Sequence, residues 1–393
     1  MQANRRYPLA TDSWDEAEFK AIDRVIASRQ FTMGAEVRGF EDEAAQWFGA
    51  RHAVMVNSGS SANLLAIAGL MYHPDRLLMP GDEVIVPAVS WSTTYYPLHQ
   101  NRLTLRFVDV DRDTLNLDLD ILAAALTPRT RAIFAVNLLG NPVDLPRLSA
   151  FCDRHGLLLI EDNCESMGAT IGGRKAGTWG ICGTYSTFYS HHISTMEGGF
   201  ILTDDKCLYE VLISLRAHGW VRGQPQDSHL SVPIDPFTQM FRFVLPGYNV
   251  RPLEMSGAIG REQLKKLAAI VEARRENADQ FRYHCGGIKG VRLQKETGES
   301  SWFGFSLLLE GHLEGRRRKL IDAFEAAGVE CRPIVAGNFL RNPVIDHLDH
   351  SVAGDTPTAD AIDLNGVFIG NHHFAIGQDL EHVGKILREF SSI

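Results

Sequence analysis

The run Ser186-Thr-Phe-Tyr-Ser-His191-His192-Ile-Ser-Thr-Met-Glu197-Gly198-Gly199 sets a hydroxyl, two imidazoles and a carboxylate between an apolar strand and a glycine pair. Hydroxyls donate to anions, and an imidazole exchanges protons near neutral pH because its ordinary pKa is about 6.5. Adjacent residues on an extended segment point opposite ways, so His191 and His192 cannot both face the same site. His191 is read as the chemical one and His192 as a packing residue. Three further clusters could join this loop. Asn57-Ser58-Gly59-Ser60-Ser61-Ala62-Asn63 precedes an apolar helical pattern, a geometry that offers N–H and hydroxyl donors to an anion, although the same residues also suit an ordinary serine cap. Glu161-Asp162-Asn163-Cys164-Glu165 crowds carboxylates at one strand exit, where a single acid would suffice to cap a turn. Trp91-Ser-Thr-Thr-Tyr-Tyr ends another strand, and Trp91 suits either the core or a platform under a flat ring.

The elements that must position these clusters alternate along the chain. Amphipathic helices are expected over Trp14 to Ile26 and Glu36 to Phe48. Apolar strands follow at Ala53 to Val56, Glu83 to Pro87, Leu105 to Val108, Ala132 to Val136 and Leu157 to Glu161. Helices are expected between them near Thr93 to His99, Leu117 to Leu126 and Leu145 to Arg154. Nearly continuous apolar strands alternating with helices imply an α/β protein with a largely parallel sheet covered on both faces. Ligands in such sheets bind at the carboxyl ends of the strands, where all four clusters fall. The segment Gly219 to Phe243 reads as a long surface loop able to cover a site, and it carries His218 at its head and Arg222 within it. A long helix through about Arg282 follows, and the remainder alternates strands and helices. The expected division is a large domain over 1–260 and a smaller C-terminal α/β domain over 261–393.

At 393 residues the chain exceeds one ordinary core. Its net charge of −9 argues against nucleic acid as a partner. No apolar run approaches the length of a membrane helix, and a cytoplasmic protein is expected. The six cysteines lie far apart with no C-x-x-C pair, so neither a zinc site nor a disulfide framework is expected.

The order of these clusters, together with Phe31-Thr-Met-Gly, Asn137-Leu-Leu-Gly-Asn, Phe243-Val-Leu-Pro-Gly-Tyr-Asn-Val-Arg and Glu299-Ser-Ser-Trp-Phe-Gly-Phe, resembles the sugar aminotransferases of the DegT/DnrJ/EryC1/StrS family over nearly the whole chain. The resemblance implies the aspartate aminotransferase type of fold (PLP-dependent fold type I) and pyridoxal or pyridoxamine phosphate (PLP/PMP) as cofactor. It also implies Gly59, Ser60 and Ser186 at the cofactor phosphate, Trp91 on its ring, Asp162 at the pyridinium nitrogen and Glu165 near the ring hydroxyl. Asn249 would reach the phosphate of a neighbouring subunit, giving a homodimer with shared sites. His218 and Arg222 are candidate contacts to the substrate.

One position departs from the family pattern. The lysine that tethers the cofactor is replaced by His191, which cannot hold an aldehyde covalently but can carry a proton. Within the family this exchange marks enzymes that remove the C3 hydroxyl of a nucleotide-linked 4-keto-6-deoxyhexose. The absence of clustered cysteines sides with the branch lacking an iron–sulfur cluster, whose substrate is GDP-4-keto-6-deoxy-D-mannose, with glutamate as amino donor. The alternatives are a conventional nucleotide-sugar 4-aminotransferase using Lys175 or Lys206, and a non-catalytic cofactor-binding regulator.

Overall fold

Apolar strands that cannot face water on either side require cover from both, and the chain supplies it. The computed structural model describes residues 7–231 and 235–392. Its strands in chain order are β1 (His52–Val56), β2 (Glu83–Pro87), β3 (Thr104–Val108), β4 (Thr130–Val136), β5 (Leu158–Asp162), β6 (Thr170–Ile171), β7 (Arg174–Lys175), β8 (Cys182–Ser186), β9 (Gly199–Thr203), β10 (Val291–Leu293), β11 (Gly304–Leu309), β12 (Cys331–Arg332), β13 (His350–Val352) and β14 (Gly366–Gly370). Eight of them form one sheet in the order β1-β9-β8-β5-β4-β2-β3-β13. The pairs from β8 to β13 are parallel, and β9 runs against both its neighbours. One face packs on helices Gly59–Met71, Ser92–Gln100 and Lys206–Arg216 through Leu65, Tyr95 and Leu212. The other packs on Leu145–His155 through Leu145 and Leu148, and on Ala35–Phe48 through Phe40 and Phe48.

The helices begin where side chains satisfy first-turn donors that lack a carbonyl. Ser58 accepts from Ser61 N (3.0 Å), Asp144 from Arg147 N (3.1 Å) and Asp205 from Leu208 N (2.8 Å). Asp205 also lies near His73 and Cys207, with their ligand-type atoms within 4.8 Å of one another. His73 Nδ1 accepts from Asp75 N (3.2 Å), so its Nε2 is the protonated nitrogen and faces the Asp205 carboxylate at 3.4 Å.

One expected element is revised, and one expected boundary falls inside an element. The helix over Leu117 to Leu126 shrinks to Leu122–Ala125. Leu117 instead bridges to Val110, and Asp118 turns its carboxylate back onto Asp120 N (2.9 Å), a local bond that competes with helix. The expected division at 260/261 falls inside the continuous helix Glu254–Cys285. Leu264 and Leu267 of that helix pack with the large sheet, while Phe281 and Cys285 join the core of the small antiparallel sheet, β10-β11-β14-β12. The C-terminal part also returns to the large sheet, since β13 pairs with β3 and Phe339 and Ile362 lie in the large core. Among the described residues, no helix is long and apolar enough to cross a membrane.

Candidate active site

The carboxyl ends of β1, β2, β4, β5 and β8, with the amino end of the reversed β9, surround a cavity of about 570 Å³. Gly59, Ser60, Trp91, Asp162, Glu165, Ser186 and His191 all line it. At the β1 end Ser58 caps the helix through Ser61 N, leaving the N–H groups of Gly59 and Ser60 with no carbonyl in the first turn. Position 59 admits only glycine, because a Cβ there would stand 2.5 Å from Ser186 Cβ and 2.9 Å from Cys164 Sγ. Gly199 is equally confined, its added Cβ lying 2.6 Å from Gly59 N. Ser186 Oγ accepts from Phe188 N (3.2 Å), so its own proton is free to point at an anion. Gly59, Ser60 and Ser186 thus form a donor cradle on one wall.

Asp162 closes β5, and its carboxylate is buried. Oδ2 accepts from Asn63 Nδ2 (2.8 Å) and Thr94 Oγ1 (2.8 Å), while Oδ1 accepts from Cys164 N (3.1 Å). Asn63 is fixed in turn by Thr184 (2.6 Å). The acid is therefore held in one orientation with acceptor capacity left on the cavity side. Glu161, one residue earlier, points to the opposite face and accepts from Gly177, Trp179 and Gly180 N (2.6, 2.6 and 2.9 Å), which makes it an anchor for that turn. Glu165 accepts from Leu139 N (3.0 Å), and burial raises its pKa against the opposing pull of Arg332.

The loop after β8 is polar yet satisfied by itself. Thr187 N bonds Gly198 O, Tyr189 N bonds Met196 O and Thr195 N bonds Thr187 O, each at 2.9 Å, and Ser194 N reaches Gln263 (3.0 Å). His191 sits between the Phe188 and Phe303 rings, with centroids at 5.9 and 5.1 Å. Its Nδ1 is sealed without a partner, which leaves Nε2 as the nitrogen able to exchange a proton with a molecule in the cavity. Burial, reinforced by the Arg332 and Arg274 guanidiniums, pushes its pKa down to about 3. The ordinary value near neutrality expected from sequence is thus corrected, and His191 rests as a neutral base. His192 is 1% exposed and donates from Nε2 to Ser301 O (3.0 Å).

Trp91 stands at the mouth, 56% exposed. Three candidates lie elsewhere in this chain, and the described residues of the segment from Gly219 to Phe243 contribute none to the lining. His218 packs on Trp220 (4.8 Å), Arg222 lies 6.0 Å from the same ring, and Asn249 is exposed with its Oδ1 accepting from Arg251 (2.9 Å). Residues 232–234 of that segment fall outside the described part. Glu197 of the opening run lines the cavity as well, and Asn63, Thr94, Phe188, Phe303 and Arg332 line it without having been given a role. Asn63 and Thr94 sit within two of the strand-end runs and were legible there as amide and hydroxyl neighbours, and Phe303 falls in the Glu299–Phe305 run, whereas nothing local marks Arg332.

Among the described residues no lysine lines the cavity. Lys175 lies over the Trp47 ring (4.5 Å), and Lys206 pairs with Asp227 and with Glu210 (3.8 Å) on the surface. The donor cradle, the oriented Asp162 and the flat face of Trp91 fit pyridoxal phosphate, whose phosphate needs N–H and hydroxyl donors and whose pyridinium needs an acid.

Comparison with known proteins agrees with this fit. The chain is 51% identical over 386 residues to GDP-4-keto-6-deoxy-D-mannose 3-dehydratase of Yersinia pseudotuberculosis, covering 98% of each. It superposes with a TM-score of 0.96 and 49% identity on the Escherichia coli GDP-4-keto-6-deoxy-D-mannose-3-dehydratase with bound hydrated PLP, over 98% of this chain and 99% of that one. A structure of GDP-4-keto-6-deoxymannose-3-dehydratase with a trapped PLP-glutamate geminal diamine matches with a TM-score of 0.95 and 49% identity, over 97% and 100% of the two chains. The fold is that of the PLP-dependent fold type I enzymes. Residues 12–388 match the DegT/DnrJ/EryC1/StrS aminotransferase family, and this chain belongs to that PLP-dependent family.

Proposed function

We propose that this chain is a PLP/PMP-dependent enzyme that removes the C3 hydroxyl of GDP-4-keto-6-deoxy-D-mannose, giving a 3,6-dideoxy-4-ketosugar, with glutamate returning the amino group to the cofactor. The observation that carries the reading is a neutral imidazole, His191, in a cavity with an acid for the cofactor ring and no lysine. When bound, the cofactor supplies an electron sink conjugated to the sugar C4 carbon. Asp162 holds that sink electron-poor by accepting from its ring nitrogen, and the position of Asp162 is set in advance by Asn63, Thr94 and Cys164 N. Gly59, Ser60 and Ser186 would bind the phosphate, Trp91 would cover the ring and Glu165 would lie near the ring hydroxyl. His191 Nε2 takes the proton released as the electrons delocalise, then delivers it to the departing C3 oxygen, so a hydroxyl leaves as water. A neutral resting state suits this order, because the residue acts first as a base.

Asn249, His218 and Arg222 are assigned to the site of a second subunit, since in their own chain they stand away from the cavity. The enzyme is read as a cytoplasmic homodimer with shared sites, each chain divided into a large cofactor domain and a small C-terminal domain. Incubation with GDP-4-keto-6-deoxy-D-mannose, PLP and glutamate should release ammonia and a product that has lost the C3 oxygen, seen by mass analysis. Stoichiometric aminosugar with no ammonia would overturn the reading. Mixing a His191→Asn chain with an Asn249→Ala chain should restore part of the activity if sites are shared.

A further inference from the structure

The run Glu299 to Phe303 approaches the site without regular structure, the strand β11 beginning only at Gly304, and each of its five carbonyls is received by a side chain. Arg275 takes those of Glu299 (3.2 Å) and Ser300 (3.0 Å), and His192 takes that of Ser301 (3.0 Å). Arg274 takes those of Trp302 (3.4 Å) and Phe303 (3.0 Å). The run needs this support, because Trp302 holds a φ of +45°, a conformation that residues with side chains rarely adopt. Arg274 lies on the helix Glu254–Cys285, is 6% exposed and is not among the cavity-lining residues. Its Nη1 also donates to Asn371 O (3.0 Å), and Asn371 Nδ2 donates in return to Arg274 O (3.0 Å) and Trp302 O (2.9 Å). Asn371 shows that a neutral amide can hold such carbonyls, so a buried cation, which is costly to desolvate, calls for a further use.

We propose that Arg274 is a positioning residue for proton transfer at His191, acting through the Trp302 and Phe303 carbonyls to fix the ring against which the imidazole stands. This rests on the reading above that His191 moves the proton. A catalytic base is ordinarily oriented by a hydrogen bond from its second ring nitrogen to a third group. His191 lacks that bond, since its Nδ1 has no partner, so packing must set the direction of its Nε2. Of the two rings that flank it, Phe188 belongs to the same loop and is 40% exposed, whereas Phe303 is 6% exposed and comes from the other part of the chain. Phe303 is therefore the fixed side of the slot, and Arg274 holds its backbone. The guanidinium charge adds to this, because with burial and Arg332 it favours the uncharged imidazole, the form that accepts a proton.

The test uses Arg274→Met, which removes bonds and charge, and Arg274→Lys, which keeps the charge. Amino transfer from L-glutamate requires the proton on its Cα to be moved, so this half-reaction reads the same imidazole. In the PLP-loaded protein its absorbance change should slow in Arg274→Met by about 100-fold in kcat, the scale of loss expected from a misplaced catalytic group, with KM and PLP affinity near wild type. Arg274→Lys should recover part of the rate. Glutamate deuterated at Cα should react more slowly than the protonated form in Arg274→Met, because proton transfer has become limiting. In the cofactor-free protein labelled with ¹³C-histidine, the Cε1–H resonance that His191→Asn deletes should move in Arg274→Met, as the Phe303 ring shifts relative to the imidazole, and lie between in Arg274→Lys. A wild-type kcat, or a loss confined to KM or to PLP affinity, would overturn the proposal, as would an unmoved resonance. If Arg274→Met does not fold, Arg274→Lys and Phe303→Leu decide the matter, and a wild-type kcat in Phe303→Leu overturns it equally. If amino transfer depends on Arg274 in this way yet the wild-type protein never removes the C3 oxygen, the proposed function fails while this inference stands.

Discussion

Replacing His191 by asparagine should make the protein less sensitive to acid, not more. In the native state burial and two guanidiniums hold the ring neutral down to about pH 3. In the unfolded chain the same ring titrates near 6.5. The unfolded state therefore gains a proton that the native state refuses, and the stability associated with the neutral ring is complete above pH 6.5 and lost progressively as pH falls toward 3. At pH 5.0 the loss from this one residue comes to about 2 kcal/mol, at roughly 1.4 kcal/mol per pH unit below 6.5. Asparagine does not titrate, so between pH 7.5 and 5.0 the His191→Asn protein should gain about that amount relative to wild type. Urea unfolding of the cofactor-free protein at both pH values measures the difference. Comparison of the two proteins cancels Glu161 and Glu165, whose raised pKa values act in the opposite direction. Identical pH dependence in the two proteins would show that His191 titrates normally in the fold and is not a preset neutral base.

Gly59→Ala should drive a methyl to 2.5 Å from Ser186 Cβ, costing about 1–3 kcal/mol of stability and weakening PLP binding in an absorbance titration. Asp162→Asn leaves an NH₂ facing a donor whichever way the amide turns, toward Asn63 and Thr94 on one side or Cys164 N on the other. A loss of about 1–3 kcal/mol in urea unfolding, with weaker cofactor binding, is expected. Glu41→Gln removes the carboxylate that pairs with the buried Arg216 guanidinium, which also bonds Met55 O (2.7 Å), and should cost about 3–5 kcal/mol by the same measurement without changing the substrate preference.

What could be read from the sequence was whatever local pattern dictates. Strands such as Glu83–Pro87 are apolar runs bounded by turn residues, and the structure reproduces that one to the residue. The cavity residues on strand ends were legible because a polar cluster after a buried strand has few structural uses. The helix at Leu117 to Leu126 failed because leucine spacing suited a helix while Asp118 and Asp120 offered the backbone a competing turn. The boundary drawn at 260/261 crosses a helix for a different reason. Helical periodicity continues unbroken from Glu254 to Cys285, so nothing in that pattern signals that the partners of the helix change from the large sheet to the small one. Arg332 was invisible because its meaning is tertiary: the pairing of β12 with β14 brings it to a cavity whose lining from Ser58 to Glu197 was built more than a hundred residues earlier.

The loop bearing His191 explains how one exchange can redirect an enzyme without rebuilding it. Its shape is set by backbone bonds from Thr187, Tyr189 and Thr195, by Gln263 reaching Ser194 N, and by a Gly198 whose added Cβ would meet two threonine hydroxyls at 2.3 and 2.4 Å. None of these bonds passes through the side chain at 191, whose Nδ1 is unpartnered. The neighbouring His192 is the reverse case, tied to Ser301 O and thereby to the segment that presents Phe303. One histidine is thus free to determine the chemistry, and the other is committed to the geometry. A side chain that contributes no bond to its own loop can change from amine to imidazole at little structural cost, and what changes is whether the cofactor is tethered or a proton is carried. His191 is in that position by construction of the loop, which is why the acid, the donor cradle and the glycines around it remain those of an aminotransferase site.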